Sequence, residues 1–153
     1  MPLPNCRDLL RAKAQQLLAQ REHGTQELIR KLSYKHPDCV EWIDEVVAEL
    51  SDSDWLNEVR YVQAFIRKEI GLGHGQRHIL QALQQKAADV EVVSQCLQAA
   101  EVDWLELAVS VRVKKFGSTL PKAVNDVAKQ MRFLSYRGFD SDTVRLALKT
   151  ESD

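Results

Sequence analysis

Glycine and proline are scarce in this 153-residue chain, there are three cysteines, and no stretch is continuously apolar. Each shortage excludes something. No run approaches the roughly 20 apolar residues that a membrane-crossing helix needs, which argues against a membrane-spanning chain. The opening Met-Pro-Leu-Pro-Asn-Cys-Arg-Asp has no charged segment followed by an apolar one, so no secretory leader is expected and a cytoplasmic location is. Cys6, Cys39 and Cys96 are odd in number, widely spread and without a C-x-x-C pair, unlike a disulfide framework. Three reduced thiols are expected, with Cys96 a small core residue between Val93 and Leu97. Strict apolar alternation over strand length is also missing, which removes the main signal for a sheet.

What is present is helical period. Apolar residues recur at three and four in Leu28/Ile29/Leu32, Val46/Val47/Leu50, Tyr61/Phe65, Ile79/Leu80/Leu83, Leu105/Val109/Val113/Phe116 and Val124/Val127/Met131/Leu134. Breakers fall between these segments at Gly24, Pro37, Gly71/Gly73/Gly75, Gly117 with Pro121, and Gly138. Thr25, Asp38, Asp89, Asp103 and Asp140 precede apolar-periodic runs as start signals, and Asp38 and Asp103 have a Glu three residues on, as in a capping box. Nine helices are expected, near 6–22, 25–35, 40–51, 57–70, 76–86, 90–99, 104–116, 121–137 and 141–149.

The pattern repeats. Leu28-x3-Leu32, Ile79-x3-Leu83 and Met131-x2-Leu134 occupy the second helix of three successive units, and Val46-x3-Leu50, Val93-x3-Leu97 and Val144-x3-Leu148 the third. Units that repeat at this length stack to bury faces they cannot bury alone. The expected fold is therefore all-α: three tandem three-helix repeats, 1–54, 55–101 and 102–153, stacked into an elongated, curved array. Such stacking favours a binding surface over an enclosed active site.

The net charge of −1 hides a division. Residues 1–35 hold seven Lys/Arg against three Asp/Glu, residues 36–103 five against thirteen, and residues 104–153 nine against six. Asp38, Glu41, Asp44, Glu45, Glu49, Asp52, Asp54 and Glu58 have no Lys, Arg or His among them. That block is either a solvated helix face or a partner-facing surface.

Chemistry-bearing motifs are weak. His74 and His78 stand at metal-ligand spacing, but Gly75 between them marks a helix start and no acidic or Cys partner is evident nearby, so no metal is expected. His36-x2-Cys39 is interrupted by Pro37, a turn residue. Gly71-Leu72-Gly73-His74-Gly75 follows a helix rather than a strand and has no Lys-Ser/Thr after it, which makes it a tight inter-helix turn instead of a phosphate loop. No nucleophile constellation emerges, and neither an enzyme nor a cofactor is expected.

Cations remain. Arg21, Arg67/Lys68 and Lys114/Lys115 end the first helix of each unit, while Lys31, Arg77, Lys86, Arg132 and Arg137 recur on the second. Repeated cations suit phosphate or an acidic protein surface; equally, ordinary surface cations sit well near helix C-termini.

Several segments resemble the bacterial RecX regulators of the RecA recombinase. They are Arg21-x3-Thr25-x-Glu27-Leu28-x2-Lys31-Leu32, Trp55-Leu56-Asn57-Glu58-x-Arg60-Tyr61-Val62-x2-Phe65-Ile66, Gly71-Leu72-Gly73-x5-Ile79-x3-Leu83-x2-Lys86, Asp103-Trp104, Lys115-Phe116-Gly117 and Phe133-Leu134-x2-Arg137-Gly138-Phe139. Two positions depart from the family pattern: Ala87 and Ser53 stand where glycine is common. The resemblance implies a cytoplasmic, non-enzymatic regulator that lies along the RecA filament on single-stranded DNA. It would restrain filament extension and reduce ATP hydrolysis, strand exchange and repressor self-cleavage, thereby modulating recombinational DNA repair and the SOS response. Contact candidates are Arg21, Lys31, Arg67, Lys68, Arg77, Lys114, Lys115, Arg132 and Arg137, with Tyr34, Tyr136 and Phe139 as aromatic anchors. Single-stranded DNA is reached through the filament, no membrane is involved, and the absence of a heptad seam favours a monomer. The alternatives are a helical module that binds nucleic acid directly and a helical-repeat adaptor for another protein.

Overall fold

The computed structural model describes residues 5–152; Met1–Pro4, on which part of the leader reading falls, and Asp153 lie outside them. Among the described residues the chain forms helices and no strand. The α-helices are α1 (Cys6–Gln20), α2 (Thr25–Lys35), α3 (Ile43–Asp52), α4 (Glu58–Gly71), α5 (Gln76–Gln85), α6 (Val90–Ala100), α7 (Trp104–Phe116), α8 (Val124–Tyr136) and α9 (Ser141–Ala147), with a 3₁₀ helix over Pro37–Trp42. Among the described residues no helix is long and apolar enough to cross a membrane.

Two helix starts differ from expectation by three residues. The third helix was expected from residue 40, but Pro37 opens a 3₁₀ segment and α3 begins only at Ile43. Asp38 lies inside that segment and makes no capping bond. The eighth helix starts at Val124, not 121, because Ala123 holds the extended conformation of a cap. Asp103 and Asp140 do cap, accepting from the Glu106 and Thr143 N–H groups, and Asp89 accepts from Glu91 and Val92. Thr25 proves to be the first helical residue, with Gly24 as cap and Glu27 reaching back to the Gly24 N–H at 3.3 Å.

The chain divides into two compact units, one running up to Ala64 and including Leu83–Cys96, the other made of Phe65–Ala82 and the chain from Leu97 onward. In the first, α1, α2, α3 and the 3₁₀ helix enclose Leu10, Ala14, Leu28, Leu32, Ile43, Val46 and Leu50. In the second, α7 packs on α8 and α9 around Val109, Leu134, Phe139, Val144, Ala147 and Leu148. The repeated apolar positions are thus buried ones, except Leu97 and Met131, which are half-buried. Each such side chain taken fully out of water contributes about 1.5–3 kcal/mol.

One expectation is overturned outright. Cys6 and Cys39 form a disulfide, with their Cα atoms 5.4 Å apart, and only Cys96 is a free, buried thiol. The start of α1 and the 3₁₀ helix pack on one core, which brings together residues 33 apart in sequence. That separation carries no motif.

Buried polar groups fix the connections. Arg112 is fully buried and spends its guanidinium on carbonyls of Ala147, Gly117 and Thr150, the first two at 3.1 and 3.4 Å. It caps the end of α9, where carbonyls lack helical partners. In the first unit Glu58 accepts from the N–H groups of Thr25 and Asp89, both at 3.0 Å, and so ties the start of α2 to the turn before α6. The acidic block is partly consumed in the same way: Glu49 meets Arg7 and Arg11 at 2.5 and 2.7 Å, Glu45 meets Arg7, and Asp54 meets Arg60.

Candidate functional site

The second unit is organised by two helix ends of one design. At the end of α4, Gly73 takes φ +82°, its N–H bonds to the Ile70 carbonyl at 2.9 Å, and the His74 N–H bonds to the Glu69 carbonyl at 3.0 Å. At the end of α8, Gly138 takes φ +98°, with Gly138 to Ser135 at 3.0 Å and Phe139 to Leu134 at 3.3 Å. These paired bonds define the Schellman turn, in which a left-handed residue closes the helix. The glycine-rich turn is therefore the inter-helix device expected of it. The two turns interlock, since the Gly75 N–H donates to Arg137 and the Arg77 N–H to Gly138, at 2.8 and 2.9 Å. A side chain on Gly75 would meet the Gly138 and Phe139 backbone at 2.5 Å, so only glycine fits there.

Beside this junction lies a cleft of about 440 Å³ lined by Ile70, Gly71, Leu72, Gly73, Leu107, Ser110, Val111, Lys114, Lys115, Phe133 and Arg137. Three of the sequence candidates meet here. Arg137 donates to the Leu72 carbonyl at 2.8 Å and stands over the Phe133 ring at 5.3 Å. Lys115 approaches the same ring at 5.8 Å, and Phe116 meets it edge-on at 5.3 Å between centroids. Lys114 and Lys115 are exposed. The cleft thus offers two ammonium groups and a guanidinium around an aromatic floor, a chemistry suited to a carboxylate or phosphate.

The other candidates are placed differently. Arg67, Lys68, Arg77 and Arg132 are exposed residues of the second unit that do not line this cleft. Arg21 and Lys31 belong to the first unit and are engaged internally. Arg21 pairs with Glu27 at 2.6 Å, and Lys31 stands 3.0 Å from the His23 ring and 3.8 Å from Glu27. Burial opposes ionisation of Glu27, but the hydrogen bonds and charge of Arg21 outweigh it and hold the carboxyl below its usual range. Burial pushes the His23 imidazole below its ordinary value.

Among the proposed anchors, Tyr34 and Tyr136 are 84 % and 86 % exposed, whereas Phe139 is 1 % exposed and belongs to the core. Phe139 is withdrawn as a contact residue because its place after Gly138 folds it back over Leu134. Around Tyr34, a groove of about 410 Å³ gathers Lys13, Leu17, Arg30, Lys31 and Lys35. Lys13, Arg30 and Lys35 escaped sequence reasoning; Arg30 and Lys35 stand at helical spacing to Tyr34 and Lys31, whereas Lys13 lies on α1 and carried no such signal.

A second correction concerns the histidines. An acidic partner is present: Glu69 Oε2 lies 2.5 Å from His74 Nδ1 and 3.3 Å from His78 Nε2, and the two rings stack at 3.9 Å. The carboxylate is buried while His74 and His78 are partly exposed. His74 follows Glu69 at a distance of five positions, and the Schellman turn folds one over the other.

The comparisons with known proteins agree with this architecture. A family model described as RecX, third three-helix domain, matches residues 101–148. Regulatory protein RecX of Vibrio vulnificus (strain CMCP6) is 38 % identical over 151 residues, 99 % of this chain and 95 % of that protein. Regulatory protein RecX of Vibrio cholerae serotype O1 (strain M66-2) is 40 % identical over 145 residues, 94 % of each. A crystal structure of RecX from Lactobacillus salivarius superposes with a TM-score of 0.81 at 19 % identity, covering 96 % of this chain and 97 % of that one.

Proposed function

The chain belongs to the RecX family of regulatory proteins, and from that premise we propose that it binds the RecA recombinase filament on single-stranded DNA and restrains it. The observation that carries this reading is similarity at 38 % identity across 99 % of the chain to a regulatory protein of that family. In this reading the chain consists of three repeats, 1–54, 55–101 and 102–153, and acts in the cytoplasm as a monomer without catalysis of its own. Binding reduces filament extension, ATP hydrolysis, strand exchange and repressor self-cleavage, and so tunes recombinational repair and the SOS response. The cleft of Lys114, Lys115 and Arg137 is the proposed contact for acidic groups of the filament, and many modest contacts along it act together through effective concentration.

The test is the single-stranded-DNA-dependent ATPase of the cognate recombinase, with this protein added well below one copy per subunit. Inhibition at such ratios supports the reading, and no effect at equal stoichiometry sinks it. Reversal of Lys114 and Lys115 to Glu should weaken inhibition about 10-fold or more, as expected for loss of close charge pairs at an interface, with helical content unchanged. Undiminished inhibition removes the cleft from the contact.

One observation favours direct binding of nucleic acid as a second reading: exposed Tyr34 stands among Lys13, Arg30, Lys31 and Lys35. An aromatic platform framed by cations is how single strands are held without sequence preference. That reading requires the logarithm of affinity for bare single-stranded DNA to fall with log salt by about 0.7 per phosphate neutralised. A Tyr34→Ala variant with unchanged binding excludes it.

A further inference from the structure

We propose that Glu69, His74 and His78 form a binding site for one divalent transition-metal ion, zinc being the ion that matches the donor set. Two imidazole nitrogens and one carboxylate oxygen, all within 4.8 Å of one another, converge from the end of α4 and the start of α5. This is the borderline nitrogen and oxygen set of zinc sites that keep a position open. A tetrahedral ion with bonds of about 2.0–2.1 Å sets its ligands about 3.3 Å apart. The His78 to Glu69 separation is already 3.3 Å, and the His74 to Glu69 separation of 2.5 Å has to open by less than an ångström.

The surroundings call for a cation. The Glu69 side chain is 9 % exposed, and its ion-pair partners among the described residues are these two histidines, with no Lys or Arg. A buried carboxylate needs a compensating charge or hydrogen bonds. Both ring nitrogens lie within 3.3 Å of the same oxygen, Oε2, but only that of His74 is hydrogen-bonded to it, and one ion set among them satisfies all three groups at once.

The backbone holds the donors in place. The His74 N–H bond to the Glu69 carbonyl fixes the turn, and His78 backs directly onto Gly138, where an added Cβ would lie 2.6 Å from the His78 nitrogen. Donors set on locked backbone are what a metal site needs to bind without a large ordering cost. His78 is 40 % exposed and His74 22 %, so the ion's remaining position faces water. The inference is independent of the recombinase reading; either stands if the other fails.

The full chain, freed of metal, is titrated calorimetrically with zinc, and with cobalt(II) while the visible spectrum is recorded. One ion per chain at micromolar affinity or tighter is expected, with cobalt bands of a four-coordinate nitrogen and oxygen site and no thiolate charge transfer. Loss of a supporting residue around a metal costs roughly 10–100-fold in affinity, so removing a ligand should cost at least that much. His74→Ala, His78→Gln and Glu69→Gln should each reach it, whereas His36→Gln and Cys96→Ser should leave affinity unchanged. Far-UV circular dichroism checks that each variant folds, and His78→Gln, the most exposed position, disturbs the fold least. Absence of saturable binding overturns the proposal, as does binding that survives His78→Gln in a folded chain or that disappears with Cys96→Ser.

Discussion

The ends of α4 and α8 share a backbone and differ in what they hold. Both are Schellman turns with a glycine in the left-handed region, Gly73 and Gly138. The motif brings the residue after the glycine over the residue four before it, and that pair is commonly apolar. At α8 the pair is Phe139 over Leu134, both in the core. At α4 it is His74 over Glu69. One backbone device therefore makes a hydrophobic plug in one place and a cluster of ligating groups in the other. The exits differ too: α9 is capped by its own Asp140, whereas at the start of α5 the Gly75 and Arg77 N–H groups are satisfied by the carbonyls of Arg137 and Gly138.

The largest effect should come from removing the plug. Phe139→Ala is expected to cost about 3–5 kcal/mol, the range for deleting a buried aromatic, read as a lower midpoint in urea. His74→Ala removes a partly exposed ring and the hydrogen bond it makes to the buried Glu69 carboxylate, and in metal-free protein should cost about 1–3 kcal/mol. Equal losses would break the comparison, because they would mean that the polar pair holds its turn as firmly as the apolar one.

Asp140 offers a smaller break with a pH signature. Its hydrogen bonds from the Thr143 backbone and side chain hold the carboxyl below the usual carboxylate range. A carboxyl with a depressed folded-state pKa binds fewer protons folded than unfolded, so it stabilises the fold above its unfolded pKa. That contribution is lost as pH falls through the folded value. Asp140→Ala should therefore cost about 1 kcal/mol at neutral pH, as for other lost caps, and the deficit should close below pH of about 4. A deficit that persists in acid would assign the effect to packing.

How much of this was legible beforehand follows from the range of each interaction. Helices and repeat register were legible because Leu32, Leu83 and Leu134 and their neighbours report burial through local period; all three are core residues. Caps at Asp103 and Asp140 are likewise local. The Cys6–Cys39 bond was misread because a sequence separation of 33 carries no spacing rule. Glu69 was overlooked as a partner of His74 for a narrower reason: the turn between them had been recognised, but not which of its residues it superposes. Of nine cationic candidates, Lys114, Lys115 and Arg137 share a cleft while Arg21 and Lys31 pair with groups of their own unit. Sequence position gives the charge, but what it faces depends on packing.

A third Schellman turn sharpens the comparison by the smallest and opposite effect. At the end of α5 the Ala87 and Ala88 N–H groups bond to the Gln84 and Leu83 carbonyls, both at 3.0 Å, and Ala87 takes φ +55° where the related turns have glycine. The departure from the family pattern therefore leaves the turn geometry intact and puts a side chain in the left-handed region. That conformation costs an L-residue about 1–2 kcal/mol, of which glycine's larger unfolded-state entropy returns about 0.4–1. Ala87→Gly should stabilise the protein by about half to one kcal/mol, seen as a higher urea midpoint at unchanged slope. A neutral or destabilising result would mean that the Ala87 methyl makes compensating contacts, although the residue is exposed. The rule joining the three turns would then be the backbone hydrogen-bond pair rather than the glycine.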